Sequence, residues 1–96
     1  MTTVYIAEIS LSHRFVGSAE SSARRMNRML AEGRIQTYGL SKDLTRMWVT
    51  FLAANEGEAW EIAVKLPVHG VTDPIVTPLS TYNQSLDLRF PTIVWN

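Results

Sequence analysis

Glu8, His13 and Arg14 are the residues near the start of the sequence whose types suit acid-base chemistry. Glu8 interrupts the otherwise apolar run VYIAEISL, and a carboxylate enclosed in a cavity can act as a base near neutral pH. His13 can transfer a proton near pH 7, and Arg14 can hold a carboxylate in a two-pronged contact. We predict Glu8 and His13 as catalytic residues and Arg14 as a substrate-binding residue. A solvated or ion-paired strand residue and an ordinary surface loop remain the alternatives.

Tyr38 and Trp48 are expected on neighbouring strands, where they would form an aromatic wall with one hydroxyl. Such a wall suits a small ring-containing ligand. Packing at a subunit interface explains the same two side chains equally well. We therefore predict Tyr38 and Trp48 as substrate-binding residues and leave the interface alternative open.

Charge and composition exclude several kinds of site. Nine Lys and Arg balance nine Asp and Glu, so the chain lacks the basic field that drives nucleic-acid binding. Arg24, Arg25 and Arg28 are candidates for an anion-binding patch, although a run of charge on a helix is usually its solvated face. The chain has no cysteine and two histidines, which without a clustered carboxylate make a poor metal site. We expect no metal and no nucleic acid.

Six elements of secondary structure must position these residues. Alternating or β-branched stretches predict strands, and apolar residues at spacings of three and four predict helices. The predicted elements are strand Val4–Leu11, helix Ala19–Glu32, strands Ile35–Leu40 and Met47–Ala53, a second helix after Asn55, and strand Ile75–Leu79.

Local signals mark the ends of the helices. Gly17 and Ser18 are expected to stop the first strand and cap the first helix, and Gly33 to follow that helix in a left-handed conformation. Asn55 and Glu58 have the form of a capping box.

Prolines shape the last third of the chain. Pro67 is expected to end the second helix, which places His69 in the loop that follows. Pro74 and Pro78 confine the last core strand to a sheet edge or a bulged path. Beyond it, SLDLRF alternates, so residues 80–96 are predicted to add a strand to the same subunit or to cross to a partner.

The order strand, helix, strand, strand, helix, strand matches the split β-α-β motif of the ferredoxin-like α+β fold. We predict one domain over residues 1–96, with a core at about residues 4–79 and a C-terminal extension at residues 80–96. The four-stranded antiparallel sheet would carry both helices on one face. The strand Met47–Ala53 is apolar on both faces, with Trp48 and Leu52 on one and Val49 and Phe51 on the other. The second face of the sheet would therefore carry large apolar groups, and pairing two sheets would cover it.

The stretches LAEGRIQTYGL, MWVTFLAANEGEAWEIAVKLP and IVTPL resemble the muconolactone isomerase-like family of dimeric α+β-barrel proteins. The resemblance covers about residues 4–79. It implies a homodimer or larger homo-oligomer with a small-molecule site near a subunit contact, and an isomerisation by proton abstraction and return without a cofactor. The isomerases carry a carboxylate on the first helix, where this chain has Ser21 or Ser22.

The expected function is a cofactor-free isomerase of a small lactone or carboxylated metabolite. The alternative is a noncatalytic ligand-binding or assembly domain of the same fold. The first residues read as an alternating strand that contains Glu8, and no apolar run approaches the roughly 20 residues that span a bilayer. We therefore expect a cytoplasmic protein without a membrane partner.

Overall fold

The computed structural model describes residues 2–12, 14–68 and 72–82, and over these residues it is an α+β structure with four strands and two helices. The predictions for His13, His69 and the strand at residues 85–90 lie outside the described residues. The elements are β1 Thr3–Ser10, α1 Arg14–Ala31, β2 Thr37–Leu40, β3 Arg46–Ala53, α2 Glu56–Val64 and β4 Thr72–Pro78.

The strands form one antiparallel sheet in the order β2-β3-β1-β4. This order and the sequence of elements confirm the predicted α+β sheet and are compatible with a ferredoxin-like fold. The two central strands, β1 and β3, pair along their whole lengths, from Thr3 opposite Ala53 to Ser10 opposite Arg46. Side chains at alternate positions of these two strands therefore form two faces with well-defined neighbours.

One face of the sheet and both helices enclose a single hydrophobic core. From the sheet come alternate residues of the central strands, among them Ile9, Val49 and Phe51, and each of these is fully or almost fully buried. Met26 of α1 and Ala59 of α2 belong to the same cluster. Alternation predicted which residues of β1 and β3 share a face, and the structure identifies the face of Ile9, Val49 and Phe51 as the buried one.

Helix α1 begins at Arg14, five residues before the predicted start, so the prediction of a loop through Gly17 and Ser18 is wrong. Gly17 lies within the helix. A glycine in a helix interior costs only about 1 kcal/mol relative to alanine, and an 18-residue helix tolerates that cost. Arg14 is consequently a helical residue and not a residue of the strand-to-helix loop.

The predicted left-handed Gly33 at the end of α1 is confirmed. After α1, Gly33 has a φ of 73°, its N–H donates to the Leu30 carbonyl, and the N–H of Arg34 donates to the Met29 carbonyl at 2.9 Å. These two bonds define a Schellman motif. The motif turns the chain back so that Arg34 lies beside the last turn of α1.

Helix α2 begins at the predicted capping box. The Asn55 side chain accepts a hydrogen bond from the N–H of Glu58 at 2.9 Å. The Glu58 carboxylate in turn accepts from the N–H of Ala54 at 2.6 Å, one residue before the expected donor. The helix ends at Val64, with Lys65 as its cap, so the chain leaves the helical conformation before it reaches Pro67.

Pro74 and Pro78 predicted a sheet edge or a bulged path for the last strand, and β4 has both features. β4 lies at an edge of the sheet, and its pairing with β1 shifts register between Glu8 and Ser10. Asp73 lies near this irregularity with a φ of 45°. An edge position and a bulge are where a sheet accommodates proline, because a ladder hydrogen bond is not required there.

No helix within the described residues is long and apolar enough to cross a membrane.

Candidate functional site

The sheet face opposite the helices, here called the open face, carries an unusual mixture of side chains. It is built from alternate residues of β1, β3 and β4. Ile75 is 62% exposed and Leu52 is 47% exposed, although both are large apolar residues. The residues of the open face used below are Ile6, Glu8, Arg46, Trp48, Thr50, Leu52 and Ile75.

Glu8 lies at the centre of the open face. Its direct partner on β3 is Trp48, and its direct partner on β4 is Ile75. Side chains at such paired positions lie about 5 Å apart at their Cβ atoms. The Glu8 carboxylate is therefore flanked by an aromatic and an aliphatic side chain, while 39% of its side chain remains exposed.

Arg46 provides a positive charge beside this carboxylate. Its Nη1 lies 3.4 Å from Glu8 Oε2, and both side chains are partly exposed. An exposed pair of this kind contributes at most about 1 kcal/mol to stability. The pair therefore bears on what the face can bind more than on its folding, since the guanidinium can also bind a second anion.

A short chain of hydroxyls borders the apolar part of the open face. Thr50 Oγ1 lies 2.6 Å from Thr37 Oγ1 and 3.3 Å from the Tyr82 hydroxyl. The Leu79 N–H also donates to the Val4 carbonyl at 2.9 Å. Leu79 thus lies beside β1, and Tyr82 reaches Thr50 of β3 on the open face, so residues 79–82 border this face.

Tyr38 and Trp48 do not share a face of the sheet. Tyr38 pairs with Val49, which belongs to the buried core, and its hydroxyl donates to Asn27 Oδ1 of α1 at 2.8 Å. Trp48 pairs with Gly39 and Glu8 on the open face. The structure therefore brings Glu8 and Trp48 together and places Tyr38 on the helix side.

Arg14 and His13 are the other two predicted site residues. Arg14 is the first residue of α1, and His13 lies outside the described residues. The predicted partnership of Glu8 with His13 and Arg14 stays a prediction.

Ser22 is one of the two serines, Ser21 and Ser22, that lie near the helix position at which the resemblance implies a carboxylate. It is fully buried, and its Oγ has no hydrogen-bond partner within the described part of the chain. Its surroundings belong to the core side of the sheet, whereas Glu8 faces the other side. A carboxylate at this position would therefore be buried among apolar side chains, and Ser22 does not serve the open face.

Arg46 is the residue that sequence reasoning missed. The predicted strand began at Met47, one residue too late, which left Arg46 in the preceding loop. Extending the alternation of Trp48, Thr50 and Leu52 backwards by two positions would have put Arg46 on their face. Its closeness to Glu8 also required the register between β1 and β3, which alternation alone does not supply.

The described residues contain no group of three or more His, Cys, Asp or Glu side chains that could hold a metal ion. The groups that the open face does provide are a carboxylate, a guanidinium, hydroxyls and apolar walls. Together they can bind a small molecule that has an anionic or carbonyl group and an apolar body, and they can move a proton.

Comparison with known proteins found no matching family model, no matching curated protein and no matching solved structure. Nothing in these comparisons identifies a muconolactone isomerase-like family. Because one fold hosts many activities, the function must be argued from the site.

Proposed function

We propose that this chain is a ferredoxin-like, muconolactone isomerase-like domain that pairs with a second copy through the open face and isomerises a small lactone or carboxylated metabolite between the two sheets. The observation that supports the proposal is the position of Glu8, a partly exposed carboxylate among large apolar side chains on a sheet face that the described residues do not fully cover.

Exposed apolar area favours a second copy as the cover of this face. Each Å² of apolar surface removed from water contributes about 25 cal/mol. Ile75 and Leu52 are exposed in the single chain, and both would be buried when two sheets stack about 10 Å apart. A two-fold axis places the same patch of both copies in contact, so a dimeric α+β barrel would enclose two copies of Glu8 near one another.

Proton transfer by Glu8 would suffice for the reaction. The carboxylate takes a proton from the γ-carbon of a lactone whose double bond is conjugated with the carbonyl, and the electron pair moves through the double bond onto the carbonyl oxygen. The proton then returns to the α-carbon, next to the carbonyl. The double bond moves, and no atom or electron is gained or lost. Arg46 would bind the carboxylate of the metabolite or the developing oxyanion, and Trp48 would pack against its ring.

The experiment is an isomerisation assay of the purified full chain with muconolactone and related lactones, followed spectroscopically. Glu8→Gln keeps the size of the side chain and removes the base, so turnover should fall about 100-fold or more. Glu20→Gln is the matched control, because Glu20 is almost fully exposed on α1 and pairs only with Arg24 among the contacts described. Its activity should equal that of the unaltered chain.

Two outcomes would contradict the catalytic proposal. The first is no detectable turnover of any lactone by the unaltered protein. The second is equal rates for Glu8→Gln and Glu20→Gln. His13→Ala, measured in the same assay, tests the second predicted catalytic residue independently of Glu8.

A noncatalytic ligand-binding or assembly domain is the second candidate. The ion pair between Glu8 and Arg46 favours it, because a carboxylate that serves only to pair with a neighbouring strand has this geometry. In that case Arg46→Gln and Glu8→Gln would change self-association or ligand affinity to a similar extent, and the unaltered chain would have no isomerase activity. A dimer without turnover would support this candidate.

A further inference from the structure

We propose a second binding site, separate from the open face, in which a groove between the C-terminal ends of α1 and α2 binds a small organic dianion. The groove lies on the helix side of the sheet and does not depend on the function proposed for Glu8. It contains a cavity of about 190 Å³ that adjoins a second one of about 310 Å³. Its lining residues used below are Arg25, Arg28, Met29, Glu32, Arg34, Ile62 and Lys65.

Local structure brings the cations of this groove together. Arg25 and Arg28 are three residues apart on α1, so their side chains leave the helix on the same side. The Schellman motif at Gly33 returns Arg34 to the last turn of the helix. Lys65 comes from the cap of α2. Four positive side chains from three segments therefore line one concavity.

Three of these cations have no carboxylate partner within the described residues. The ion pairs described join Arg24 to Glu20, Arg34 to Glu32 and Arg46 to Glu8. Arg25, Arg28 and Lys65 take part in none of them. In a chain whose formal charge is zero, such a group concentrates positive charge at one place.

The negative charges near the groove do not cancel its positive charge. Each helix C-terminus carries the equivalent of about half a negative charge, and two ends contribute about one. Glu32 contributes one more. Four cations then leave a local charge of about +2. A ligand with two negative charges matches this value, and guanidinium groups bind phosphate and carboxylate oxygens with paired hydrogen bonds.

Apolar side chains form another part of the groove and favour an organic ligand over a bare ion. Met29 and Ile62 line the larger cavity between the helices, and both also pack against the core. A short aliphatic or aromatic group attached to the anion would bury apolar area there. The expected ligand class is therefore a small phosphomonoester or dicarboxylate with a compact apolar body.

The test uses phenyl phosphate and phthalate as probes, with phenol as the uncharged comparison. Binding to the full-length protein is measured by calorimetry, and the affected backbone amides are located by two-dimensional NMR. We expect at least one of the two dianions to bind, phenol not to bind, and the shifted amides to cluster at residues 25–34 and 62–67. Binding of phenyl phosphate alone would identify a phosphate site, and binding of phthalate alone a dicarboxylate site.

Variants separate this site from general charge effects. Arg25→Gln and Lys65→Gln should each weaken dianion binding about tenfold, the effect of losing about 1.4 kcal/mol of binding free energy. Arg24→Gln is the matched control, because Arg24 neighbours Arg25 in the chain but pairs with Glu20 outside the groove. Its affinity should be unchanged.

The proposal is overturned if neither dianion binds, if Arg24→Gln weakens binding as much as Arg25→Gln, or if only long polyanions such as single-stranded DNA bind. A purely structural role for the cations, as partners of the helix C-termini, makes a different prediction. It requires Lys65→Gln to lower the melting temperature while leaving dianion binding unchanged, and that result would also overturn the proposal.

Discussion

Glu8 and Trp48 are direct cross-strand partners on β1 and β3, with Arg46 two residues before Trp48 and 3.4 Å from the Glu8 carboxylate. The carboxylate, indole and guanidinium groups therefore extend from neighbouring positions on the same face of the β1–β3 pair. These strands are the most extensively paired in the sheet, so their backbone fixes the positions from which the three side chains extend. A second sheet placed over this arrangement would exclude water from it and strengthen its electrostatic interactions.

Leu52→Lys should prevent self-association through the open face. Leu52 is 47% exposed in the single chain, so the change costs the isolated fold little. In a face-to-face dimer it would bury an unpaired charge, which costs about 3–5 kcal/mol and weakens association at least 100-fold. Sedimentation equilibrium measures the effect.

Trp60→Lys is the control for this prediction, because Trp60 is also 47% exposed but lies on α2. It should leave the dimer intact. If both variants associate as strongly as the unaltered protein, the open face is not the interface. If the unaltered protein is a monomer at every concentration tested, the proposed dimer does not form.

Glycine substitutions in and after α1 should have opposite effects on stability. Gly17 lies inside the helix, and a Cβ there would meet nothing within 4 Å, so Gly17→Ala should raise the free energy of unfolding by about 1 kcal/mol. Gly33 has a φ of 73°, so Gly33→Ala should lower it by about 1–2 kcal/mol. Urea denaturation of the two variants checks both signs, and a loss of stability in Gly17→Ala would contradict the helix start at Arg14.

Ser22→Ala should stabilise the protein. The buried Ser22 hydroxyl has no partner within the described residues, and removing an unsatisfied buried polar group relieves a desolvation cost of about 1–3 kcal/mol. Alanine is also the better helix former. The melting temperature should rise by about 4–8 °C for each kcal/mol gained.

Ser21→Ala provides the comparison for Ser22. Ser21 is the adjacent serine on α1 and has an interaction partner in the structure. Ser21→Ala should raise the melting temperature less than Ser22→Ala does, or lower it. A fall in melting temperature for Ser22→Ala would show that its hydroxyl does have a partner.

The sequence allowed shared faces and helix ends to be predicted wherever a local pattern carried the information. Alternation in β1 placed Tyr5, Ala7 and Ile9 on one face, which the structure shows to be buried, and Asn55 with Glu58 marked the start of α2. These signals are local, because each depends only on residues within one element. The start of α1 was the exception, since a helix can continue through a glycine when the cost is small.

The candidate site depended on information that is not local. Whether Tyr38 faces the helices or the open face follows from its pairing with Val49, and whether Arg46 reaches Glu8 follows from the β1–β3 register. A shift of one residue in either pairing would exchange the two faces. For this reason the sequence did not place Arg46 beside Glu8, and it expected Tyr38 and Trp48 to form one wall although they lie on opposite faces. Their roles as substrate-binding residues stay predictions.

The β2–β3 loop should make stability depend on pH in the acid range. Asp43 Oδ1 accepts hydrogen bonds from the Thr45 hydroxyl at 2.7 Å, the Ser41 hydroxyl at 2.8 Å and the Thr45 N–H at 3.1 Å. These bonds, with that of the Thr45 side chain the strongest, hold the pKa of Asp43 below its ordinary value of 3.8. The folded protein therefore favours the ionised carboxylate more than the unfolded chain does.

The sign of the pH effect follows from this lowered pKa. The stabilisation is fully present above the unfolded-state pKa of 3.8 and is lost as the pH falls through the lower folded-state pKa. Asp43→Asn removes the charge, so its stability deficit relative to the unaltered protein should be constant from pH 7 down to about pH 5. The deficit should then narrow as the carboxylate of the unaltered protein is protonated. Urea denaturation across this range measures the difference, and a deficit that grows below pH 4 would show that the loop favours the neutral acid.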